Sequence, residues 1–302
     1  MIPVSIIIPA HNEASVIRRC LETMLRDSGP RELEIIVVCN GCRDQTAAIV
    51  RTYGAPVRLL ETPTASKVVA LNLGDAAATR FPRFYVDADV ILAIDAIREV
   101  ARFLAGGKAL AAAPRMRVNL ESVPWPIRAY YRTWLSLPYH CGDMIGSGVY
   151  ALSRDGRRRF TEFPDIIADD GYIMSLFRSG ERKSVRTAEF TIVPPRTVWD
   201  LVRIKTRARL GTYEWEHRYP ELARNVLSEW SAVQRRLLWP IHHLPASAAY
   251  LLISSIARFR ARKQFRAGEF RNWERDESSR QGVGLVSAQA RTAGPLEETN
   301  QC

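Results

Sequence analysis

Cysteine and histidine are scarce in this chain of 302 residues, which contains five of each. Cys39 and Cys42 are separated by two residues, but no second pair and no nearby histidine completes a zinc site. A redox pair is the lesser alternative, and we expect reduced thiols in a cytoplasmic protein. The first residues carry no basic segment and lead directly into an apolar strand, so we expect no signal peptide.

Nucleic-acid-binding motifs and basic strips interleaved with aromatic residues are also missing, although the formal net charge is +11. The positive excess lies mainly in the second half of the chain, for example in Arg157 to Arg159 and in Arg258 to Arg266. Phosphorylated ligands and an anionic membrane surface remain as partners that such a charge attracts. We expect no nucleic-acid partner.

Long uncharged runs are rare, but Leu237 to Ala257 carries no formal charge and is long enough to span a bilayer. Prolines, histidines and serines interrupt it, so an interfacial hairpin or an ordinary core helix is an alternative to a span. The flanking arginines suit anionic lipid head groups, or else form a solvated basic helix. We predict a basic helical extension over residues 218–281, peripheral to the inner face of the cell membrane, and a disordered tail over 282–302.

The first part of the chain alternates short apolar strands with amphipathic helices. Asn12 is placed to cap the first helix, with Glu13 in its first turn, and Ser66 is placed to cap the third. Strands that alternate with helices predict a mainly parallel sheet with right-handed crossovers. The predicted strands are Val4 to Pro9, Glu34 to Cys39, Val57 to Leu60 and Phe84 to Val86.

Beyond Ile94 the pattern is less regular. An irregular aromatic segment is predicted from Pro124. Helices are predicted over residues 96–104, from Asp169, and from Thr197 toward His217. Further strands are predicted over Ala109 to Val118, Val149 to Leu152 and Ser184 to Val193.

The triplet Asp87-Ala88-Asp89 directly follows the buried strand that ends at Val86. Two carboxylates at the end of a buried strand are costly unless another group compensates their charge. Ligands of open α/β sheets bind in the crevice at the carboxyl ends of the strands, and a divalent cation that carries phosphate would neutralise both acids. Exposed turn aspartates are the alternative.

Polar segments follow the other predicted strands as well. Because the carboxyl ends of parallel strands meet at one edge of a sheet, these segments are expected to converge on a single crevice. Each alone is compatible with a turn or a helix cap, but four at one edge indicate a binding site. The segments are Pro9 to Glu13, Asn40 to Asp44, Lys67 to Asn72 and Asp87 to Asp89.

In these segments the chain resembles the family-2 glycosyltransferases, which have the GT-A nucleotide-diphospho-sugar fold. Ser5 to Glu13 is similar to that family's first strand and nucleotide loop, and Lys67 to Asn72 to its K-x-x-A-L-N element. Asp87-Ala88-Asp89 looks like its D-x-D motif. Ala168 to Gly171 resembles its acidic motif, whose second acid serves as the catalytic base.

The resemblance implies an α/β fold of the GT-A type, with a mainly parallel, Rossmann-like sheet flanked by helices and a C-terminal helical extension. It places the glycosyltransferase domain at residues 1–217, with a nucleotide-binding half at about 1–93 and an acceptor half at about 94–217. The family's two aspartates followed by G-S are replaced here by Cys39 to Cys42, so the nucleotide base is left open. The Q-x-x-R-W of processive members is missing, which favours transfer of a single sugar.

The resemblance also implies roles for individual residues. Asp89 would bind Mg²⁺ or Mn²⁺ directly, with Asp87 on the ribose or the metal, and Asp170 would be the catalytic base beside Asp169. Adjacent aspartates should raise one of the two pKa values by repulsion; a helix N-terminus that favours acids is the alternative. The nucleotide-diphospho-sugar donor would be bound by Pro9, Ala10, Asn12, Glu13, Asn40, Asp44, Lys67, Asp87, Arg203 and Arg207, the two arginines being equally compatible with a solvated basic face.

The leading hypothesis is a metal-dependent inverting glycosyltransferase that moves one sugar to a lipid-linked or saccharide acceptor, in cell-envelope or exopolysaccharide synthesis. A nucleotidyltransferase of related fold is an alternative, but its usual Gly-rich basic loop is replaced by His11 to Ala14. A non-catalytic membrane-bound scaffold on a relict GT-A fold is another, against which the intact acids at positions 87, 89 and 170 argue.

Overall fold

The computed structural model describes residues 1–137, 147–224, 244–270 and Ser278. Part of Leu237 to Ala257 and the predicted tail over 282–302 lie outside the described residues. The helices are α1 Ile17–Leu25, α2 Thr46–Arg51, α3 Lys67–Ala77, α4 Ile94–Ala105, α5 Trp125–Leu135, α6 Arg154–Arg157, α7 Asp169–Ser175, α8 Val198–Arg218 and α9 Leu244–Arg266. The strands are β1 Val4–Ala10, β2 Leu33–Asn40, β3 Val57–Thr62, β4 Arg83–Val86, β5 Ile91–Leu92, β6 Ala111–Val118, β7 Val149–Leu152 and β8 Arg182–Ile192.

The strands form one sheet in the order β3-β2-β1-β4-β7-β6-β8-β5. The first four are mutually parallel, β7 runs antiparallel to both β4 and β6, and β6 is parallel to β8. The carboxyl ends of β1, β2 and β4 therefore share one edge, and the amino end of β7 joins them because Val149 pairs with Val86. The α/β, mainly parallel architecture predicted from the sequence is confirmed.

Strand β1 is buried along its whole length because helices cover both faces of the sheet. Its alternate residues enter different cores, as the two-residue period of a strand requires. Ile6 and Ile8 pack with α1 and α4, whereas Ile7 packs with α3 and Tyr85. This burial explains why the strand is a continuous apolar run.

The predicted cap at Asn12 is wrong. Helix α1 begins at Ile17 after Val16, and no side chain caps it. Asn12 instead lies in the left-handed region with a φ of 52°, and its Oδ1 accepts a hydrogen bond from the Arg43 amide at 2.7 Å. Residues 11–16 thus form a loop at the sheet edge. The predicted cap at Ser66 is confirmed, and the helix predicted from Thr197 is present, with Thr197 as its N-cap.

The segment from Pro124, predicted to be irregular, is the helix α5. The prolines that suggested irregularity lie at its N-terminus, where a missing N–H costs no intrahelical hydrogen bond. Helix α9 packs against both α5 and α8 and buries Ile253, Ala257 and Ala261. No helix of the described residues is both long enough and apolar enough to cross a membrane.

A buried ion cluster around Asp75 joins α3 to the sheet and to α6. Asp75 accepts hydrogen bonds from Arg83 at 2.8 Å, the Tyr85 hydroxyl at 2.6 Å and Arg157 at 2.7 Å. Burial alone would raise the pKa of Asp75, but these donors, Arg157 first, lower it overall. The carboxylate therefore compensates two half-buried guanidinium groups that would otherwise lack an anion.

Replacement of this carboxylate should destabilise the fold severely. Removing one member of a buried ion cluster costs about 3–5 kcal/mol, so we expect Asp75→Ala to lower the free energy of unfolding by that amount. The control Asp95→Ala removes a carboxylate that is 85% exposed, so it should change the free energy of unfolding by less than about 0.5 kcal/mol. Urea unfolding measures both, and equal stability of the two variants would contradict the role of the cluster.

Candidate active site

A cavity of about 480 Å³ lies at the sheet edge where β1, β2 and β4 end. Glu13, Asn40, Lys67 and Asp89 line it, one from each of the four predicted segments. Asp170 of α7 lines the same cavity, as do Pro9, Asp87 and Arg207. The sheet thus brings residues more than 150 positions apart in the sequence to one place, as the order of strands and motifs predicts.

Lys67 joins the two acidic motifs. Its Nζ lies 3.0 Å from Oδ1 of Asp87 and 3.1 Å from Oδ1 of Asp169. The side chain reaches both because Lys67 is the first residue of α3, directly after the Ser66 cap. Burial alone would lower the pKa of Lys67, but Asp169 and then Asp87 raise it, so the residue is a permanent cation.

The two adjacent aspartates have different surroundings. Asp169 is 3% exposed, and burial raises its pKa to about 6, against the attraction of Lys67 and with a further contribution from Asp170. Asp170 is half-buried and accepts hydrogen bonds from the amides of Gly171 at 2.8 Å and Ser147 at 3.2 Å. Desolvation thus raises the pKa of Asp169 more than the repulsion expected from the sequence does.

Helix α8 holds the segment that carries these aspartates. The Ile167 amide donates to Glu214 at 2.8 Å. Gly211 allows the segment to lie directly on the helix, because a Cβ there would come within 2.9 Å of Ile167 and 3.1 Å of the Ala168 nitrogen. On the other side, Asn72 exchanges hydrogen bonds with the Phe163 backbone at 2.8 and 3.1 Å, so the last residue of the K-x-x-A-L-N element is a structural tether.

Two polar atoms in the cavity wall have no hydrogen-bond partner among the described residues. They are the Asn40 Oδ1 and the Trp215 Nε1, and both residues are at least 97% buried. The Asn40 backbone is fixed, since its carbonyl accepts a hydrogen bond from the His11 Nδ1 at 2.5 Å. A buried unsatisfied acceptor is costly, so the Asn40 amide is placed to receive an N–H from a ligand.

Backbone hydrogen bonds fix the loop that carries Asp87 and Asp89. The Asp87 amide donates to the Gly148 carbonyl at 2.8 Å, and Arg19 donates to the Asp89 carbonyl at 3.1 Å. Gly148 has a φ of 109°, which L side chains rarely adopt, and a Cβ there would lie 3.1 Å from Val90. The loop with Asp87 and Asp89 therefore packs directly against the start of β7.

The donor set of this loop fits a hard divalent cation that arrives with phosphate. Among the described residues no group of three or more ligating side chains forms a self-sufficient metal site. Mg²⁺ and Mn²⁺ bound to nucleotides need only one or two protein carboxylates, since phosphate oxygens and water complete the shell. Asp87 and Asp89 are two carboxylates in one loop, and both line the cavity, so the residues present fit such a cation.

Four of the predicted donor residues do not line the cavity. Ala10 is buried within the sheet, and Asn12 contacts the loop after β2. Asp44 accepts hydrogen bonds from the amides of Ala14 at 3.1 Å and Thr46 at 3.0 Å, which braces the first loop from behind. Arg203 pairs with Asp200 at 3.2 Å and lies 5.9 Å from the Trp199 ring centroid, whereas Arg207 faces the cavity.

Two features of the site were missed by sequence reasoning. Tyr150 lines a smaller cavity beneath Lys67 and Asp87, and burial raises the pKa of its hydroxyl. Lys205 lines the main cavity among the aromatic residues of α5. If the segment had been interpreted as a helix, the spacing of Tyr130, Tyr131 and Trp134 would have placed their rings on one face, and this spacing was the sequence signal for the cluster.

The comparison with families of known proteins agrees with this geometry. The model of glycosyl transferase family 2 matches residues 5–161, about half of the chain, and includes the loops after β1, β2 and β4. A curated relative, the 4,4'-diaponeurosporenoate glycosyltransferase of Staphylococcus aureus, is 29% identical over 160 residues, which is 51% of this chain and 40% of that protein. The chain spans less than half the length of the curated relatives it matches.

Solved structures share the fold over most of the chain. The mannosyltransferase PcManGT of Pyrobaculum calidifontis, in complex with GDP-Man and Mn²⁺, has a TM-score of 0.63 at 19% identity, covering 89% of this chain and 88% of that one. S. aureus TarS 1–349, in complex with UDP-GlcNAc, has a TM-score of 0.53 at 16% identity, covering 90% and 89%. At these identities the likeness shows the GT-A-type fold, and with the family match it establishes that the chain belongs to glycosyl transferase family 2.

Proposed function

We propose that this protein transfers a single sugar, with inversion, from a nucleotide-diphospho-sugar to a hydroxyl of an acceptor, with Mg²⁺ or Mn²⁺. The observation that supports this best is the ion-paired Lys67 between Asp87 and Asp169, which unites the nucleotide side and the acidic motif in one cavity. The donor end of the cavity is the sheet edge with Pro9, Glu13 and Asn40. The Asn40 Oδ1 accepts an N–H of the base, and Lys67 attracts the diphosphate.

Asp89, with Asp87, holds the divalent cation. When bound, the cation neutralises charge on the departing diphosphate. Lys67 keeps Asp87 in place and adds a positive charge beside the phosphates, while Arg207 adds another to the cavity lining. Pairing of the donor with these groups expels water from the cavity, which strengthens each interaction.

Asp170 is the general base. Asp169 is ion-paired with Lys67 and buried, whereas Asp170 is partly exposed and faces the cavity. The acceptor hydroxyl gives its proton to the Asp170 carboxylate as its oxygen bonds to the anomeric carbon. The bond from that carbon to the diphosphate breaks, and its electron pair leaves with the nucleoside diphosphate.

The fold does not fix the identity of the sugar donor or of the acceptor. The neighbours PcManGT and TarS were solved with GDP-Man and UDP-GlcNAc, so the family scaffold accommodates different bases and sugars. We propose a lipid-linked or saccharide acceptor in cell-envelope or exopolysaccharide synthesis. Pyrophosphate release from a nucleoside triphosphate would instead indicate a nucleotidyltransferase.

Helix α9 supports peripheral contact with an anionic membrane. Its exposed face carries an apolar row next to basic residues. This arrangement is typical of a helix that lies in a membrane interface, where apolar side chains enter the acyl boundary and cations meet head groups. The apolar row is Leu251, Leu252, Ile256 and Phe259, and the basic residues are Arg258, Arg262, Lys263 and Arg266.

Asp170→Asn should abolish transfer and spare donor binding. The amide cannot accept the proton, and loss of a general base lowers kcat by about 10²- to 10⁴-fold. Sugar release and transfer from a panel of nucleotide sugars measure kcat, and calorimetry with Mn²⁺ measures donor affinity. Asp165→Asn, on the exposed loop before α7, is the control, and turnover retained by Asp170→Asn would remove the assignment.

Metal removal should abolish nucleotide binding. A ligand at 100 times its Kd stabilises the folded state by about 2.7 kcal/mol, so UDP or GDP with Mn²⁺ should raise the melting temperature measurably. EDTA or Asp89→Asn should remove that shift, whereas Asp155→Asn, whose side chain is 72% exposed, should keep it. An undiminished Mn²⁺-dependent shift in Asp89→Asn would contradict the metal-ligand assignment, and no shift with any nucleotide would favour a scaffold.

Membrane contact is tested with vesicles. The native chain should co-sediment with phosphatidylglycerol vesicles more than with phosphatidylcholine vesicles, and high salt should weaken the binding. Leu252→Glu with Phe259→Glu should reduce binding at least tenfold, because charges oppose insertion. Leu73→Glu, at an exposed position on α3, is the control, and equal binding of all three proteins would refute this role of α9.

A further inference from the structure

Lys205 lines the cavity, with its ammonium in a cage of aromatic rings. Its Nζ is 3.8 Å from the Trp134 ring centroid, 5.3 Å from that of Tyr131 and 5.4 Å from that of Tyr130. Helix α8 presents the lysine, and helix α5 supplies all three rings. The ring faces attract the ammonium, which explains how a cation is tolerated among apolar groups.

Within the described residues no carboxylate forms an ion pair with Lys205. The groups that face it are Tyr130 and Tyr131 on α5, while Arg209 on its own helix acts on it by charge and Tyr250 of α9 packs on Tyr130. None of these groups is an anion at neutral pH. Burial and then the charge of Arg209 lower the pKa of Lys205 to about 7. The pKa of Lys67 is shifted in the opposite direction, because Asp87 and Asp169 stabilise its charged form.

The surroundings of Lys205 differ from the donor end of the same cavity. The acids and Lys67 belong to the donor end, whereas the wall near α5, β6 and β8 is apolar. A molecule whose hydroxyl reaches Asp170 therefore meets an apolar surface with one amine in it. The wall that we call the aromatic end consists of Met116, Tyr131, Trp134, Ile192, Ile204 and Lys205.

We propose that the aromatic end is an acceptor subsite, in which Lys205 binds a carboxylate or phosphate of an amphipathic acceptor. The apolar part of that acceptor packs on Tyr131 and Trp134. This inference rests on the proposed glycosyltransferase function and narrows its acceptor to anionic, partly apolar molecules. Lys205 is here a specificity-determining residue: its ammonium pairs with the negative charge of the acceptor.

Octyl phosphate, octanoate and octanol, which share one chain length, test this subsite, with their binding measured through quenching of tryptophan fluorescence. We expect the native protein to bind at least one of the two anions at least tenfold more tightly than octanol. Whether phosphate or carboxylate is preferred identifies the source of the charge. Lys205→Met should lose the preference, and Lys205→Arg should keep it because the guanidinium remains cationic.

Lys108→Met is the matched control, since Lys108 lies 5.7 Å from the Phe103 ring centroid on α4 and does not line the cavity. The pH profile separates charge pairing from packing. The carboxylate of octanoate stays ionised above pH 6.5, so its affinity for the native protein should fall as the pH rises through about 7, where Lys205 loses its proton. The arginine variant should show no such fall, because arginine stays protonated.

Three outcomes overturn the proposal: equal binding of octanol and both anions by the native protein, a preference that survives in Lys205→Met, or a flat pH profile in the native protein. If Lys205→Met does not fold, the native profile and Lys205→Arg still decide. Donor binding with Mn²⁺ is measured in parallel. Normal donor binding without anion preference overturns this subsite alone, whereas absent donor binding overturns the proposed function.

Discussion

The ion pairs of Lys67 with Asp87 and Asp169 are the interaction on which the site depends. One ammonium, placed by the N-terminus of α3, compensates acids from two segments that are 82 residues apart in the sequence. Without it, two carboxylates at the end of a mostly buried edge would repel each other and favour protonation. The ammonium therefore allows an acid-rich cavity to exist before any ligand arrives.

The cavity combines two regions with opposite chemistry. The donor end is made by loops after parallel strands, where backbone groups and acids converge, as expected of open α/β sheets. The aromatic end is made by helices α5 and α8, which contribute rings and Lys205, together with Met116 of β6 and Ile192 of β8. Since the two ends come from different elements of the fold, side chains of the aromatic end can change without a change in the loops of the donor end.

The parts that sequence reasoning could predict are those governed by short-range rules. Buried strands appear as apolar runs, the cap at Ser66 and the helix start at Thr197 appear as hydroxyl residues just before a helical pattern, and convergence of the loops follows from parallel strand order. The failures have a different cause. Asn12 is held by the loop after β2. The α5 rings form a cage only because they surround Lys205, which lies 71 residues beyond Trp134 in the sequence. Such long-range contacts leave no local pattern, which is why Lys205 and the loop-bracing role of Asp44 were found only in three dimensions.

The attachment of the Asp169-Asp170 segment to α8 has a consequence for mutagenesis. Ile167 is held by Glu214, and Ala168 lies against Gly211, so a side chain added at position 211 would push the segment away from Lys67. Such a variant would displace the acidic motif while retaining every acidic residue, so a loss-of-function screen would score position 211 although glycine has no side chain that could take part in the chemistry. Gly211 thus sets the distance between Lys67 and the Asp169-Asp170 segment through packing of the backbone alone.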